Sequence, residues 1–177
     1  NVNFINNSAI KSGGAISSAN NVTITKSEFI NNKATDSNSF GGAVYVENGI
    51  NVSESSFDNN TAGTGGAIFS NNNTVTVIVD GSSFTGNNAT SSGGAIYSNG
   101  KVETTNVDFT SNNATSSGGA IFSNNTVITT GGNFNNNTAR ISGGAIYTSQ
   151  NITVNNTTFN ENLVTSTTSN TAGGAIY

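Results

Sequence analysis

Carboxylates are the side chains of this chain that could do acid–base chemistry, and there are nine of them. Glycoside hydrolysis generally needs two carboxyl groups about 5–10 Å apart, a spacing that stacked repeats could supply. Relative to the recurring phenylalanines described below, Glu28 and Asp108 share one position, but three repeats separate them. Five further acids each fall at a different position: Asp80, Glu103, Glu54, Asp58 and Glu161. This scatter predicts isolated, solvated charges and no catalytic pair.

The residue types that are missing exclude several other chemistries. The chain has no His and no Cys, so it lacks an imidazole base, a Ser–His arrangement and the common zinc ligands. Its five basic residues are scattered, whereas a polysaccharide lyase would place Lys or Arg beside a calcium-binding acidic cluster. We therefore predict a protein that is not an enzyme, with no catalytic residue, no metal site and no cofactor.

Asn-x-Ser/Thr sequons are the remaining candidate sites. They are frequent, as chance alone produces in a chain rich in Asn and Thr. Asn88 and Asn113 follow a predicted turn directly, where a loop could accept a glycan. These two residues are the candidate glycosylation sites.

Two interleaved repeats organise the chain. The first is Gly-Gly-Ala-Ile/Val, with its first glycine at Gly13, Gly41, Gly65, Gly93, Gly118, Gly143 and Gly173. The second is Phe-x-x-Asn, with its phenylalanine at Phe4, Phe29, Phe57, Phe84, Phe109, Phe134 and Phe159. Its asparagines are Asn7, Asn32, Asn60, Asn87, Asn112, Asn137 and Asn162.

The distances between the motifs separate fixed structure from variable loop. From Gly-Gly to the next Phe the distance is 16 residues in five cases and 19 in one, whereas from Phe to the next Gly-Gly it is 8 to 14. Loops tolerate such insertions, and the longest ones contain Asp36–Phe40 and Ser166–Thr171. Within the fixed segment apolar residues alternate with polar ones, as in Val22-Thr23-Ile24 and Ile152-Thr153-Val154. This period of two predicts strands with one buried face.

These patterns predict an all-β fold, a right-handed single-stranded parallel β-helix of about seven coils of about 25 residues. Propeller blades need about 40 to 50 residues, and leucine-rich repeats need a Leu pattern that is missing here. We expect residues 1–177 to form one continuous solenoid segment, a window on a longer repeat array. Phe should stack as an internal column. Asn should lie at the turn, where it tolerates left-handed dihedrals and forms an amide ladder.

The orientation of the Gly-Gly-Ala-Ile-Tyr strand stays open. Either Ile faces inward and Ala and the aromatic residue face outward, or the reverse. We favour Ile inward, which leaves a column of aromatic residues on one outer face. That position holds Ser17, Tyr45, Phe69, Tyr97, Phe122, Tyr147 and Tyr177.

Together the two motifs resemble the polymorphic outer membrane protein repeat, a family that pairs Gly-Gly-Ala-Ile with Phe-x-x-Asn in tandem. The resemblance covers the whole chain, with seven copies of each motif. It implies a β-helical passenger domain that is displayed on a surface and involved in adhesion. Asn-rich versions also resemble adhesin-like proteins of methanogenic archaea and of some protists. The motif residues that the resemblance carries over are structural.

The charge and hydropathy of the chain limit the classes of partner that it could bind. The net charge is -4 and no basic run is present, so the footprint of a nucleic-acid-binding protein is missing. No stretch of this segment is apolar enough to span a bilayer. We predict an extracellular or cell-surface, adhesin-like or structural scaffold. Its partner would be a surface protein or glycan of another cell, or a further copy of itself. The alternatives are a subunit of an extracellular filament or sheath, and a glycan-binding β-helix supported by the outer aromatic column.

Overall fold

The protein is a β-solenoid of parallel strands with about 25 residues per turn. The structure, a computed structural model, describes residues 1–167 and 173–177. These residues form no helix. The predicted parallel β-solenoid is confirmed. There are about six turns, fewer than the seven copies of each motif, because the seven motif phenylalanines from Phe4 to Phe159 enclose six intervals of the repeat.

Three sheets run along the solenoid. The first has eleven strands: Asn3–Ile5, Val22–Thr25, Glu28–Ile30, Ile50–Ser53, Ser56–Asp58, Thr76–Asp80, Ser83–Thr85, Lys101–Thr110, Val127–Asn135, Ile152–Asn155 and Thr158–Asn160. The second has seven: Ser8–Ala9, Lys33–Ala34, Thr61–Ala62, Asn88–Ala89, Asn113–Ala114, Thr138–Ala139 and Leu163–Val164. The third has six: Ile16–Ser18, Val44–Val46, Ile68–Ser70, Ile96–Ser98, Ile121–Ser123 and Ile146–Thr148.

The register places equivalent motif positions directly above one another. Phe84 pairs with Phe57 on one side and with Phe109 on the other, and Ile96 pairs with Ile68 and Ile121 in the third sheet. Each side chain therefore meets its own kind at the strand spacing of about 4.8 Å. A single motif, repeated, builds a continuous column.

Both glycines of the Gly-Gly motif have a physical reason. Gly93 has a φ of 68°, a left-handed conformation that side chains other than Gly seldom adopt. Gly94 lies so close to the next coil that a Cβ there would be 2.0 Å from the carbonyl oxygen of Gly119. Only a residue without a side chain fits this approach.

The third sheet resolves the orientation that the sequence left open. The motif Ile faces inward and is fully buried in Ile68, Ile96, Ile121 and Ile146. The expected outward position of Ala is wrong, because Ala95 is also fully buried. The strand begins only at Ile96, and the N–H groups of Ala95 and Ile96 both donate to the carbonyl oxygen of Ala120. The chain bends at Ala, so strict alternation does not extend to it.

The core beneath the first sheet is polar at Thr104. Thr104 pairs with Val79 on one side and Thr129 on the other, and its side chain is only 2% exposed. Its Oγ1 has no hydrogen-bond partner among the described residues. A buried hydroxyl without a partner destabilises a fold.

Thr104→Val is therefore expected to raise the free energy of unfolding by about 1–2 kcal/mol, since it removes the unsatisfied hydroxyl at constant shape. Chemical denaturation followed by circular dichroism measures the change. Thr129→Val is the matched control, because the Thr129 Oγ1 lies 3.3 Å from the Oγ1 of Thr157 and has a partner to lose. A gain at Thr129 equal to that at Thr104 would contradict this account.

Candidate functional site

The Phe-x-x-Asn phenylalanines form an internal aromatic column. Successive rings from Phe4 to Phe159 stack with centroids 4.6–5.0 Å apart. The five rings between these two are fully buried. The column contacts no solvent there, so its role is packing.

The motif asparagines form an internal ladder beside that column. In each step the Nδ2 of one Asn donates to the Oδ1 of the next, as from Asn87 to Asn112 at 2.9 Å and from Asn112 to Asn137 at 3.0 Å. The same Nδ2 also donates to the carbonyl oxygen of the motif Phe in the preceding coil, as from Asn112 to Phe84 at 2.9 Å. The ladder consumes the hydrogen-bonding groups of these side chains, which leaves none for an external ligand.

The motif Asn lies at the predicted turn, as Asn60 does between the strands Ser56–Asp58 and Thr61–Ala62, but the left-handed conformation expected for it is wrong. The left-handed residue is the one before it, as in Asn59 with φ 55° and Ser111 with φ 56°. The ladder residues Asn60 and Asn112 are instead fully buried. The next two residues then form a strand of the second sheet, which the sequence did not indicate.

The outer aromatic residues form a second column, on the outside of the third sheet. Tyr45, Phe69, Tyr97, Phe122, Tyr147 and Tyr177 stack with centroids 4.6–5.7 Å apart. Within this stack each interior ring has a neighbour on both faces, so only its edge is presented outward. A sugar stacks on the face of an aromatic ring. The stacked part of the column therefore offers little support for the glycan-binding alternative.

The predicted insertion at Asp36–Phe40 caps part of this column. The Phe40 ring lies 4.6 Å from Phe69 and 6.4 Å from Tyr45. With this cover, Phe69 is only 5% exposed. The other predicted insertion, Ser166–Thr171, lies outside the described residues from residue 168 onward.

An exposed amide ladder runs beside the outer aromatic column. Asn124 donates through Nδ2 to the Oδ1 of Asn99 at 2.8 Å, and Asn99 donates to the Oδ1 of Asn71 at 3.3 Å. Asn71 in turn donates to the Oε2 of Glu47 at 2.8 Å. The ladder is directional, and in the coil of Tyr45 it ends on a carboxylate.

Tyr45 and Glu47 are coupled at that end. The Tyr45 hydroxyl donates to the Oε1 of Glu47. Burial of the ring, together with this hydrogen bond, raises the pKa of Tyr45 to about 12. The donors Tyr45 and Asn71 lower the pKa of Glu47. Glu47 is therefore a fixed carboxylate at neutral pH.

The coupling predicts a pH dependence. Because the folded pKa of Tyr45 exceeds the ordinary tyrosine value of about 10, its contribution to stability is complete below pH 10. That contribution should be lost as the pH rises to about 12. Tyrosinate absorbance should show a component that ionises near pH 12, and Tyr45→Phe should remove that component. Glu47→Gln should lower the pKa of Tyr45, and an unchanged titration would contradict the coupling.

Charged residues also meet along the bend inside the first sheet. An open groove of about 700 Å³ there is lined by Lys26, Glu28, Glu54 and Asp108, among others. Lys26 and Glu54 form an ion pair at 3.6 Å, with both side chains largely exposed. Within the described ranges, no three acidic residues are grouped so that they could hold a metal ion.

The candidate glycosylation sites do not lie in a loop, so that part of the prediction is wrong. Asn88 and Asn113 lie in paired strands of the second sheet. The Nδ2 of Asn113 donates to the Oδ1 of Asn88 at 2.8 Å, and both residues are half-buried. Whether either carries a glycan stays a prediction.

Comparison with known protein families identifies the repeat. A model of the Chlamydia polymorphic membrane protein repeat matches residues 1–19, 26–47, 54–71, 81–99, 106–124 and 133–149. The chain belongs to this family. Each matched range contains one Phe-x-x-Asn motif and the Gly-Gly motif that follows it, in register with the coils. No curated protein and no solved structure is significantly similar to the chain.

Polymorphic membrane protein repeats wound into a β-solenoid fit a surface-associated β-helical scaffold. Residues 1–167 and 173–177 contain no helix that could cross a membrane. The residues of the repeat motifs contact their equivalents in neighbouring coils. Contacts with other molecules are therefore left to the outward-facing side chains.

Proposed function

We propose that the chain is an adhesin-like β-helical scaffold, displayed extracellularly at a cell surface and acting without catalysis. Its partner is a surface protein or glycan of another cell. The observation that carries the proposal is that inward and outward residues of each coil have different roles. Phe, the buried Asn, Ile and Gly-Gly stack on their own copies, while an outward position of the first sheet varies from coil to coil, with Asn51, Ile78, Glu103, Ile128 and Thr153 in succession.

The outer surface supports a binding role over a chemical one. No three of the described acidic residues are grouped so that they could hold a metal ion, and the ion pair of Lys101 with Glu103 at 2.5 Å joins nearby positions of one coil. A rigid solenoid presents varied side chains at a fixed repeat distance, which suits an extended contact with a partner. The chain belongs to a membrane-protein repeat family, and this membership does not imply catalysis.

Adhesion of coated beads tests the proposal. Beads carrying the chain should bind to at least one of a panel of cultured cell types several-fold better than albumin-coated beads. An excess of soluble chain should compete for this binding. Retention no better than with albumin on every cell type would contradict an adhesive role.

The filament alternative stays a prediction with its own test. A filament subunit should form fibres on an electron microscope grid at high protein concentration. A displayed scaffold should stay as separate rods, and sedimentation should then give the mass of one chain.

A further inference from the structure

The outer aromatic column and the exposed amide ladder both stop at the same coil. In the third sheet Tyr45 pairs on one side with Phe69 and on the other with Ser17. Ser17 is exposed and carries no ring. Two residues further along the chain, Glu47 follows Tyr45 as Ala19 follows Ser17. Ala19 cannot continue the ladder, because it has no amide.

These four residues form a step on the surface. Ser17 and Ala19 are its floor, and the ring of Tyr45 with the carboxylate of Glu47 is its riser. Elsewhere in the column a ring face is covered by a neighbour at 4.6–5.7 Å. At the step the equivalent position is Ser17, which is exposed and supplies no ring to cover Tyr45. A ring at position 17 would occupy one coil, about 4.8 Å along the solenoid, which is the thickness of one stacked ring.

The polar groups at the riser are fixed in place. Glu47 accepts hydrogen bonds from Tyr45 through Oε1 and from Asn71 through Oε2, the latter at 2.8 Å. Each carboxylate oxygen keeps further acceptor capacity. The carboxylate can therefore accept from a ligand hydroxyl beside the ring without moving. The Ser17 hydroxyl adds a donor and an acceptor on the floor.

We propose that this step binds one neutral hexopyranose unit of a glycan. A pyranose has an apolar face of C–H groups that stacks on the Tyr45 ring, and a rim of hydroxyls that donate to Glu47 and bond to Ser17. An aromatic side chain of a partner would use the ring but leave the remaining acceptor capacity of the Glu47 carboxylate unused. An anionic sugar would be repelled by that carboxylate and by the net charge of -4. This inference rests on the proposed adhesive role, since it names the ligand class of the scaffold.

Saturation-transfer NMR on the full chain with methyl β-galactoside, methyl β-glucoside and methyl α-mannoside tests the step. At least one should receive saturation on the C–H protons of one ring face. Ser17→Tyr should fill the vacant layer and weaken binding at least about tenfold, the effect of losing one aromatic stacking contact and its adjoining hydrogen bond. Ser17→Ala keeps the layer vacant and should bind within about threefold of the original chain.

A second pair of variants separates the step from the rest of the column. Tyr45→Leu should abolish the signal. Tyr97→Leu should keep it, because both faces of Tyr97 are covered by Phe69 and Phe122. Circular dichroism melting of each variant checks that it is folded. No saturation with any of the three glycosides, or equal binding by Ser17→Tyr, would overturn the inference.

The two proposals fail in different ways. Sugar binding in solution requires no cells. Intact saturation transfer with beads that do not adhere would contradict the adhesive role alone. Beads that adhere equally with Ser17→Tyr, together with absent saturation transfer, would contradict the sugar step alone.

Discussion

Phe109→Ala is expected to lower the free energy of unfolding by about 3–5 kcal/mol, the usual result of removing a buried aromatic side chain. The Phe109 ring is fully buried. It lies between Phe84 and Phe134, with centroids at 5.0 and 4.7 Å. The flanking rings are held by their own strands and cannot close the gap, so most of the cavity should remain. Urea denaturation followed by circular dichroism gives the value.

The outer column provides the matched control for that substitution. Phe122 also stacks between two rings, at 4.8 and 4.6 Å, but it is only half-buried. Phe122→Ala loses similar stacking and much less burial, so its destabilisation should be about half as large. If the two substitutions lowered stability equally, ring stacking would outweigh burial, and the inner column would not be the core.

The fold could be predicted from the sequence because its long-range contacts are all of one kind. Every strand pairs with the equivalent strand of the next coil, as Phe84 pairs with Phe109. The spacing of the motifs therefore already states the register. In an ordinary globular domain the pairing of distant strands leaves no such trace. Here the repeat period and the strand spacing together fix the architecture.

Two local features could not be predicted, for different reasons. The strands of the second sheet are only two residues long, as in Thr61–Ala62, and alternation cannot be recognised over so short a range. The left-handed position holds Asn59 in one coil, Gly86 in another and Glu161 in a third. Asn holds this position in four of the seven repeats, but Ser111 and Glu161 show that residue type alone does not mark it. Its geometry comes from the coil, since the residue after it must turn inward to join the ladder.

The step at Ser17 was visible in the sequence as an interruption of the aromatic position, but its meaning depended on orientation. Had the aromatic residues faced inward, Ser17 would mark a thin place in the core. Because Ile faces inward, the interruption instead opens a surface. The ladder residues Glu47, Asn71, Asn99 and Asn124 each follow the outer aromatic position by two residues, so the spacing aligns them, whereas the hydrogen bonds between them are known only from the structure.

The buried asparagine ladder carries the second large effect. Asn112 takes part in four side-chain hydrogen bonds. It donates to Phe84 and Asn137, and its Oδ1 accepts from the N–H and the Nδ2 of Asn87 at 3.0 and 2.9 Å. Asn112→Ala leaves the buried N–H of Asn87 without an acceptor. The expected loss is about 2–4 kcal/mol, since unsatisfied buried groups destabilise more than a bond stabilises.

Asn113→Ala is the neighbouring control. Asn113 is half-buried, and its side chain makes one hydrogen bond to the preceding coil, to Asn88. Its loss should lower the free energy of unfolding by about 0.5–1 kcal/mol. Equal effects at positions 112 and 113 would contradict a special role for the buried ladder.

Asn112→Asp separates hydrogen bonding from shape. The introduced carboxylate still accepts from Asn87, but it turns two donor contacts into repulsion against the oxygens of Phe84 and Asn137. Burial and these oxygens should raise its pKa above the unfolded value of about 3.9. The unfolded chain then ionises first, so the stability deficit relative to the original chain should widen as the pH rises from about 4. Urea midpoints at pH 3.5, 5 and 7 measure it. A deficit that did not change with pH would mean that the amide at position 112 acts only by filling space, and that the ladder holds the coils together by packing alone.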